Sequence, residues 1–153
     1  MDEHRDRERL RELIHLSGRL LDDKKFDQYV ALYCDDGEYR IQTDVADLGK
    51  TATWAFLSRQ ELNSLLASAP RHVWNTGLRS HLITVETMAR SGNDALTEAG
   101  FCVFHTADSG VTVPYAVGRY EDTWRRESDD WRLARRVARL ATRHLAPPSA
   151  IPL

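Results

Sequence analysis

The sequence has few of the features that mark specialised protein classes. Only two of its 153 residues are cysteines, Cys34 and Cys102, and their spacing fits neither a disulfide framework nor a zinc site. No apolar stretch approaches the length of a membrane span, and the first residues form no apolar leader. The net charge is −2, so the sequence does not have the excess of basic residues that is typical of a nucleic-acid-binding protein. We therefore expect a cytoplasmic protein with two reduced thiols and no membrane or nucleic-acid partner.

The sequence also has no internal repeat, no low-complexity segment and no glycine-rich phosphate loop. A hydrophobic fraction of 42% and a charged fraction of 29% are ordinary for a globular protein. The length fits a single domain, which we predict over residues 1–145. Residues 146–153 are rich in proline and are predicted to form an extended tail that packs on a neighbour.

Helical patterns dominate the first half of the chain. Apolar residues recur at helical spacing between residues 5 and 23, which predicts an amphipathic first helix. A second apolar stripe predicts a short helix over residues 26–33. Ser58 and Glu61 form a capping-box sequence ahead of a third helix, which Pro70 is expected to close.

Strand patterns dominate the second half. A strand is predicted at residues 38–43, whereas residues 44–57 have no clear pattern and favour a loop at Gly49. The later strands are separated by short turn sequences typical of antiparallel neighbours. These strands are predicted at residues 79–89, 95–107, 111–125 and 131–141. Three helices followed by an antiparallel meander predict an α+β domain, in which a curled sheet closed by helices encloses a cavity.

Two segments resemble a known superfamily. Residues 20–39 (LLDDKKFDQYVALYCDDGEY) resemble the first two helices of nuclear transport factor 2-like, or SnoaL-like, cone-shaped α+β barrels. Residues 118–124 (GRYEDTW) and 130–136 (DWRLARR) resemble the last hairpin of these proteins. The resemblance covers nearly the whole chain and implies the fold, but the superfold hosts many chemistries.

One branch of that superfamily consists of enzymes. Scytalone dehydratase, the bile-acid dehydratases and hexachlorocyclohexane dehydrochlorinase use an aspartate near the end of the first helix and a histidine at the start of the long strands. Asp22 and His81 match those positions. Ketosteroid isomerase places its base on the first strand, where this chain has Ile41, so that isomerisation by a base at that position is not expected here.

A second branch consists of the β subunits of aromatic-ring-hydroxylating dioxygenases, which is the closer match by local sequence. Its members carry stretches similar to Asp35-Asp-Gly-Glu-Tyr39, and the segment from Arg79 to Leu82 is a shortened form of another. The resemblance implies a structural partner of a catalytic α subunit that binds no iron itself. The segment between Tyr39 and His81 is short for such a subunit.

An aspartate that orients a histidine is the basic apparatus for moving a proton near neutral pH. We expect Asp22 to hold one ring nitrogen of His81, so that the other ring nitrogen acts as general base or acid. Strand alternation places Tyr120 on the cavity face implied by the resemblance, as a donor to a leaving group or oxyanion. The structural interpretation is that His81 is a satisfied core residue and that Asp22 terminates its helix.

Other residues are predicted to line the cavity. Tyr29 and Tyr33 are alternative donors, and Asp122 is a hydrogen-bond acceptor or second acid. Either Arg135 or Arg136 should face inward, to pair with Asp122 or to hold a substrate anion. The predicted apolar lining consists of Phe26, Trp54, Leu66, Trp74, Phe101 and Trp124.

These patterns predict a cofactor-independent dehydratase, cyclase or isomerase that acts on a hydrophobic oxygenated small molecule. No metal site is predicted, because the histidines have no partners at metal-ligand spacing. The enzyme interpretation predicts a homodimer or homotrimer. The alternative is a non-catalytic β subunit that associates with a dioxygenase α subunit.

Overall fold

A computed structural model describes residues 3–72, 77–146, 149 and 151–153, with the backbone alone for residues 71 and 72. The helices, with one 3₁₀ turn, are α1 (Glu3–Asp22), α2 (Phe26–Val30), the turn Ala46–Leu48 and α3 (Arg59–His72). The strands are β1 (Tyr33–Val45), β2 (Lys50–Ser58), β3 (Leu78–Ser91), β4 (Asp94–Thr106), β5 (Thr112–Glu127) and β6 (Asp130–Leu140).

The strands form one sheet with the order β2-β1-β6-β5-β4-β3. Strands β1 and β6 are parallel, whereas the other neighbouring pairs are antiparallel. Helix α1 packs against β3, and α3 packs against β1, α2 and β2. The predicted α+β cone is therefore confirmed, with the difference that the sheet stays open between its edge strands β2 and β3.

The core lies between the helices and the inner face of the sheet. It contains the apolar stripe of α1, including Leu10, Ile14 and Leu21. The strands contribute alternate residues, as β4 illustrates by burying every second side chain from Ala95 to His105. A strand with one buried face alternates in this way because successive side chains point to opposite sides.

The predicted helix start at Ser58 is confirmed. The Ser58 hydroxyl accepts a hydrogen bond from the Glu61 N–H at 3.2 Å, and the Glu61 carboxylate accepts one from the Ser58 N–H at 2.8 Å. The prediction that Pro70 closes this helix is wrong, because α3 continues to His72. Proline lacks a backbone N–H and removes one helical hydrogen bond, but α3 continues for two residues beyond Pro70.

Two other boundaries differ from the predicted ones. Helix α2 ends at Val30, and β1 already begins at Tyr33, so that residues 34–37 belong to a strand. Residues 50–57, which belong to the segment without a clear sequence pattern, lie in the edge strand β2. The exposed face of β2 carries the apolar side chains of Trp54 and Phe56, so that apolar and polar residues do not alternate along it as they do in a typical half-buried strand.

The end of the chain packs onto its own domain. Leu153 is buried, and its N–H donates to the hydroxyl of Tyr39 at 3.1 Å. The Arg79 guanidinium donates to the carbonyl oxygen of Pro152 at 3.1 Å. Residues 151–153 therefore close one side of the domain interior. Within the described ranges, no helix has the length and apolar character needed to cross a bilayer.

Candidate functional site

The end of α1 carries the aspartate of the predicted pair. The N–H of Lys25 donates to the carbonyl of Leu20 and the N–H of Lys24 to that of Leu21, and Lys24 has a φ of 56°. This is a Schellman motif, which ends the helix with a residue in the left-handed region. Asp22 lies in the last turn of the helix, directly before this reversal.

A glycine allows α1 to lie directly on β3. A Cβ atom at Gly18 would lie 2.8 Å from Cδ1 of Ile83 and 2.9 Å from Cβ of His81. Any larger residue would push the helix away from the strand. Gly18 stands one helical turn before Asp22, so that both share the face that contacts β3. The close approach places the Asp22 carboxylate beside His81.

Asp22 and His81 meet as predicted. One carboxylate oxygen of Asp22 lies 2.5 Å from Nδ1 of His81, and the other accepts a hydrogen bond from the His81 backbone N–H at 2.8 Å. The His81 side chain is 1% exposed and that of Asp22 18%. The carboxylate favours the tautomer in which Nδ1 carries the proton, so that the lone pair of Nε2 faces the domain interior.

Two polar atoms of the predicted site have no partner among the described residues. They are Nε2 of His81 and the hydroxyl of Tyr120, and both are fully buried. The Tyr120 ring stacks on the Phe101 ring, with ring centroids 4.3 Å apart. The Arg136 guanidinium lies 4.0 Å from the centroid of the Tyr120 ring. Tyr120 is thus held rigidly, with its hydroxyl available to a further group.

The inward arginine is Arg136, whereas Arg135 is exposed. Arg136 forms a two-pronged ion pair with Asp122, with N···O distances of 2.9 and 2.7 Å. It also donates to the Ser17 hydroxyl at 2.8 Å. Burial alone would lower the pKa of Arg136, but the Asp122 carboxylate outweighs burial and holds that pKa well above its ordinary value. Asp122 therefore has a structural partner.

The remaining predicted lining residues lie in different surroundings. Tyr29 and Tyr33 are buried and share a hydrogen bond of 3.0 Å between their hydroxyls. Trp124 is buried and donates to the Thr97 hydroxyl at 2.9 Å. Burial raises the pKa of both tyrosines, so that they remain protonated.

The structure does not bring every predicted residue to this interior. Trp54 lies at the bulge of the edge strand β2 and is 42% exposed. Phe26 is half-buried and borders a surface pocket of about 310 Å³ between α2 and α3, whose wall includes Leu66. Trp74 lies outside the described residues. A larger groove of about 1220 Å³ lies at the opposite end of α1 and is lined mainly by charged side chains. Neither of these pockets is lined by Asp22 or His81.

Two further interior residues were not singled out from the sequence. Arg79 precedes His81 by two positions, so that strand alternation puts both on the inner face. Ser17 follows Leu10, Leu13 and Ile14 at helical spacing and belongs to the buried face of α1. The periodicity that located the apolar core would have located these two polar residues as well.

Burial of His81 predicts a pH-dependent stability. Burial lowers the pKa of His81 below its ordinary value of 6.5, although the hydrogen bond and charge of Asp22 oppose the shift. Protonation therefore favours the unfolded chain. The contribution of neutral His81 to stability is complete above pH 6.5 and is lost as the pH falls through the lowered pKa of the folded state.

Urea unfolding at about pH 7.5 and about pH 5 tests this expectation. The wild type should lose more stability between the two values than His81→Asn, which keeps a donor for Asp22 but does not titrate. His15 is exposed on α1, and His15→Asn should behave as the wild type does. Equal losses for His81→Asn and the wild type would contradict the prediction.

The described residues contain no group of three or more histidine, cysteine or acidic side chains that could hold a metal ion. The chain belongs to the SnoaL-like domain family, whose model matches residues 2–137. It is therefore a member of the nuclear transport factor 2-like superfamily that the two sequence segments resemble.

Two relatives are subunits of oxygenases. The chain is 28% identical over 143 residues to the 2-aminobenzenesulfonate 2,3-dioxygenase subunit beta of an Alcaligenes species, covering 93% of this chain and 95% of the relative. It is 28% identical over 154 residues to the methanesulfonate monooxygenase hydroxylase subunit beta of Methylosulfonomonas methylovora, covering 94% and 85%.

A solved structure from Novosphingobium aromaticivorans is similar over the same extent. It is described as the beta subunit of an aromatic-ring-hydroxylating dioxygenase. The two chains superpose with a TM-score of 0.84 at 24% identity, covering 95% of each chain. At this identity the likeness shows the fold.

Proposed function

We propose that this chain is the β subunit of a multicomponent oxygenase and assembles with a larger catalytic subunit. The observation that carries the proposal is the resemblance to two oxygenase β subunits over 93% and 94% of the chain. A match over a whole domain reflects more than a shared local motif. The large subunit would carry the oxygen chemistry, and this chain would provide a rigid scaffold.

The outer face of the sheet supports assembly with another protein. Leu82, Cys102 and Val117 are aligned across β3, β4 and β5 by the strand register, and we call them the outer apolar row. Leu82 is 61% and Val117 45% exposed. Two exposed apolar side chains on either side of a partly exposed cysteine form an apolar strip across three strands, as is typical of a surface that a partner covers. Because the relatives are subunits of oxygenases, we assign the row to the large subunit.

Purification of the tagged chain from its native host tests the proposal. A large oxygenase subunit, identified by mass spectrometry, is expected to co-purify in a fixed ratio. Leu82→Asp should weaken this association, because it buries a carboxylate against the partner. Leu48 is also exposed but lies on the 3₁₀ turn away from the row, so Leu48→Asp is a matched control and should retain the complex. Recovery of the chain by itself, as a homo-oligomer, would argue against the proposal.

A second candidate function is acid–base catalysis, which the Asp22–His81 geometry favours. In this alternative the chain is a cofactor-independent dehydratase, cyclase or isomerase for a hydrophobic oxygenated molecule. Asp22 orients His81, and Nε2 takes the proton from the substrate. The Tyr120 hydroxyl donates to the leaving oxygen or oxyanion. Both Nε2 and the Tyr120 hydroxyl are buried and have no partner in the described part of the chain.

The second function has its own test. Turnover by the isolated chain should be lost in His81→Asn, while the circular dichroism spectrum stays unchanged. Tyr120→Phe should reduce turnover by about 10²–10³-fold, as removal of an oxyanion donor does in other enzymes. Full activity of His81→Asn on the true substrate would exclude this chemistry.

A further inference from the structure

The domain interior contains a buried arginine without a carboxylate partner. Arg79 is 7% exposed and forms no ion pair with the acids that the structure describes. Asp22, whose charge acts on Arg79, already binds His81, and the buried Asp122 binds Arg136. A buried guanidinium is costly unless an anion or several hydrogen bonds compensate it.

The hydrogen bonds of Arg79 leave it incompletely satisfied. One of its terminal nitrogens donates to the carbonyl oxygens of Pro152 and Ile151, at 3.1 and 3.5 Å. Its Nε and its second terminal nitrogen are fully buried and have no partner among the described residues. The guanidinium also lies 5.1 Å from the centroid of the Tyr115 ring. Two parallel donors of a guanidinium are the arrangement that binds a carboxylate or sulfonate.

The segment that covers Arg79 indicates what else the site accepts. Residues 151–153 present carbonyl oxygens to Arg79, and the Leu153 side chain is 1% exposed. The Leu153 N–H donates a hydrogen bond to the Tyr39 hydroxyl. The covering segment therefore combines oxygen acceptors at Arg79 with a buried apolar side chain at the next residue, Leu153. The same combination describes an organic acid with an apolar body.

We propose that Arg79 forms the centre of a binding site for a small organic anion with an apolar body, and that residues 151–153 cover this site in its empty form. The anion pairs with the unpartnered edge of the guanidinium, formed by Nε and the second terminal nitrogen, when residues 151–153 move aside to admit it. Its apolar body takes the space of the Leu153 side chain. The site goes beyond the scaffold function and does not depend on assembly with a large subunit.

Calorimetric titration of the full chain with sodium benzoate, sodium benzenesulfonate and neutral benzamide tests the proposal. The two anions are expected to bind saturably, whereas benzamide, which matches benzoate in shape, is not. Arg79→Gln should weaken anion binding by about tenfold or more, since it removes charge-assisted hydrogen bonds. The exposed Arg135 is the matched control, and Arg135→Gln should bind as the wild type does.

A second variant tests the role of the covering segment. Leu153→Ala weakens the packing of the segment and should tighten anion binding, because the anion then competes with a weaker occupant. In nuclear magnetic resonance spectra of the wild type, benzoate should shift the Arg79 Nε–H and Leu153 amide signals. Because these signals are measured on the wild type, they test the proposal even if Arg79→Gln does not fold. Absence of anion binding in both wild type and Leu153→Ala, or equal binding by Arg79→Gln, would overturn the proposal.

Discussion

Replacement of Arg136 by methionine is expected to lower the free energy of unfolding by about 3–5 kcal/mol, because it leaves a buried carboxylate without its partner. The side chains of Arg136 and Asp122 are 0% and 1% exposed. The substitution removes both hydrogen bonds to Asp122 and the hydrogen bond to Ser17, which ties β6 to α1. Domains of this size have a total stability of about 5–15 kcal/mol, so the loss is a large part of it.

Chemical unfolding monitored by circular dichroism measures this loss. Arg135→Met at the neighbouring exposed position should change stability by no more than about 0.5 kcal/mol. The double variant Asp122→Leu/Arg136→Met should recover part of the loss, since an apolar pair leaves no isolated charge. A cost below about 1 kcal/mol for Arg136→Met would mean that the pair does not hold the domain together.

The second large effect is expected at Asp22. Asp22→Ala removes the hydrogen bond to Nδ1 of His81 and leaves the His81 backbone N–H without its acceptor. Hydrogen bonds to charged groups contribute about 1.5–3 kcal/mol each. Because the Asp22 side chain is 18% exposed, water can replace part of what is lost, and we expect a combined loss of about 2–4 kcal/mol. The loss should be smaller for Asp22→Asn, which keeps an oxygen acceptor.

Asp23 is a matched control for this measurement. Its side chain is 53% exposed, and its ion pair with Lys25 spans 4.0 Å. Asp23→Ala should therefore change the midpoint of urea unfolding very little. Similar midpoints for Asp22→Ala and Asp23→Ala would show that the link between α1 and β3 does not depend on the carboxylate.

The sequence was sufficient to predict those parts of the fold that local patterns determine. The hairpins follow from turn sequences between half-buried strands, and the capping box at Ser58 follows from two side chains three residues apart. The meeting of Asp22 and His81 followed from the family resemblance. Its physical cause is the close contact of Gly18 with β3, which no local pattern reveals.

Features that depend on distant contacts were not predictable in this way. The choice between Arg135 and Arg136 depends on the register that places Arg136 opposite Asp122. The position of residues 151–153 depends on Arg79 and Tyr39, which are far away in the sequence. The family resemblance likewise placed an aspartate beside a histidine without separating a scaffold from an enzyme, because both branches carry similar stretches.

Oxygenase turnover by the assembled complex is the most direct test of the proposed scaffold function. The large subunit would be assayed alone, with the wild-type chain and with the His81→Asn chain, after its assembly state has been checked by native mass spectrometry. We expect little turnover by the large subunit alone and equal turnover with either form of this chain. Loss of turnover in a fully assembled complex that contains His81→Asn would contradict this expectation, because His81 would then take part in the chemistry.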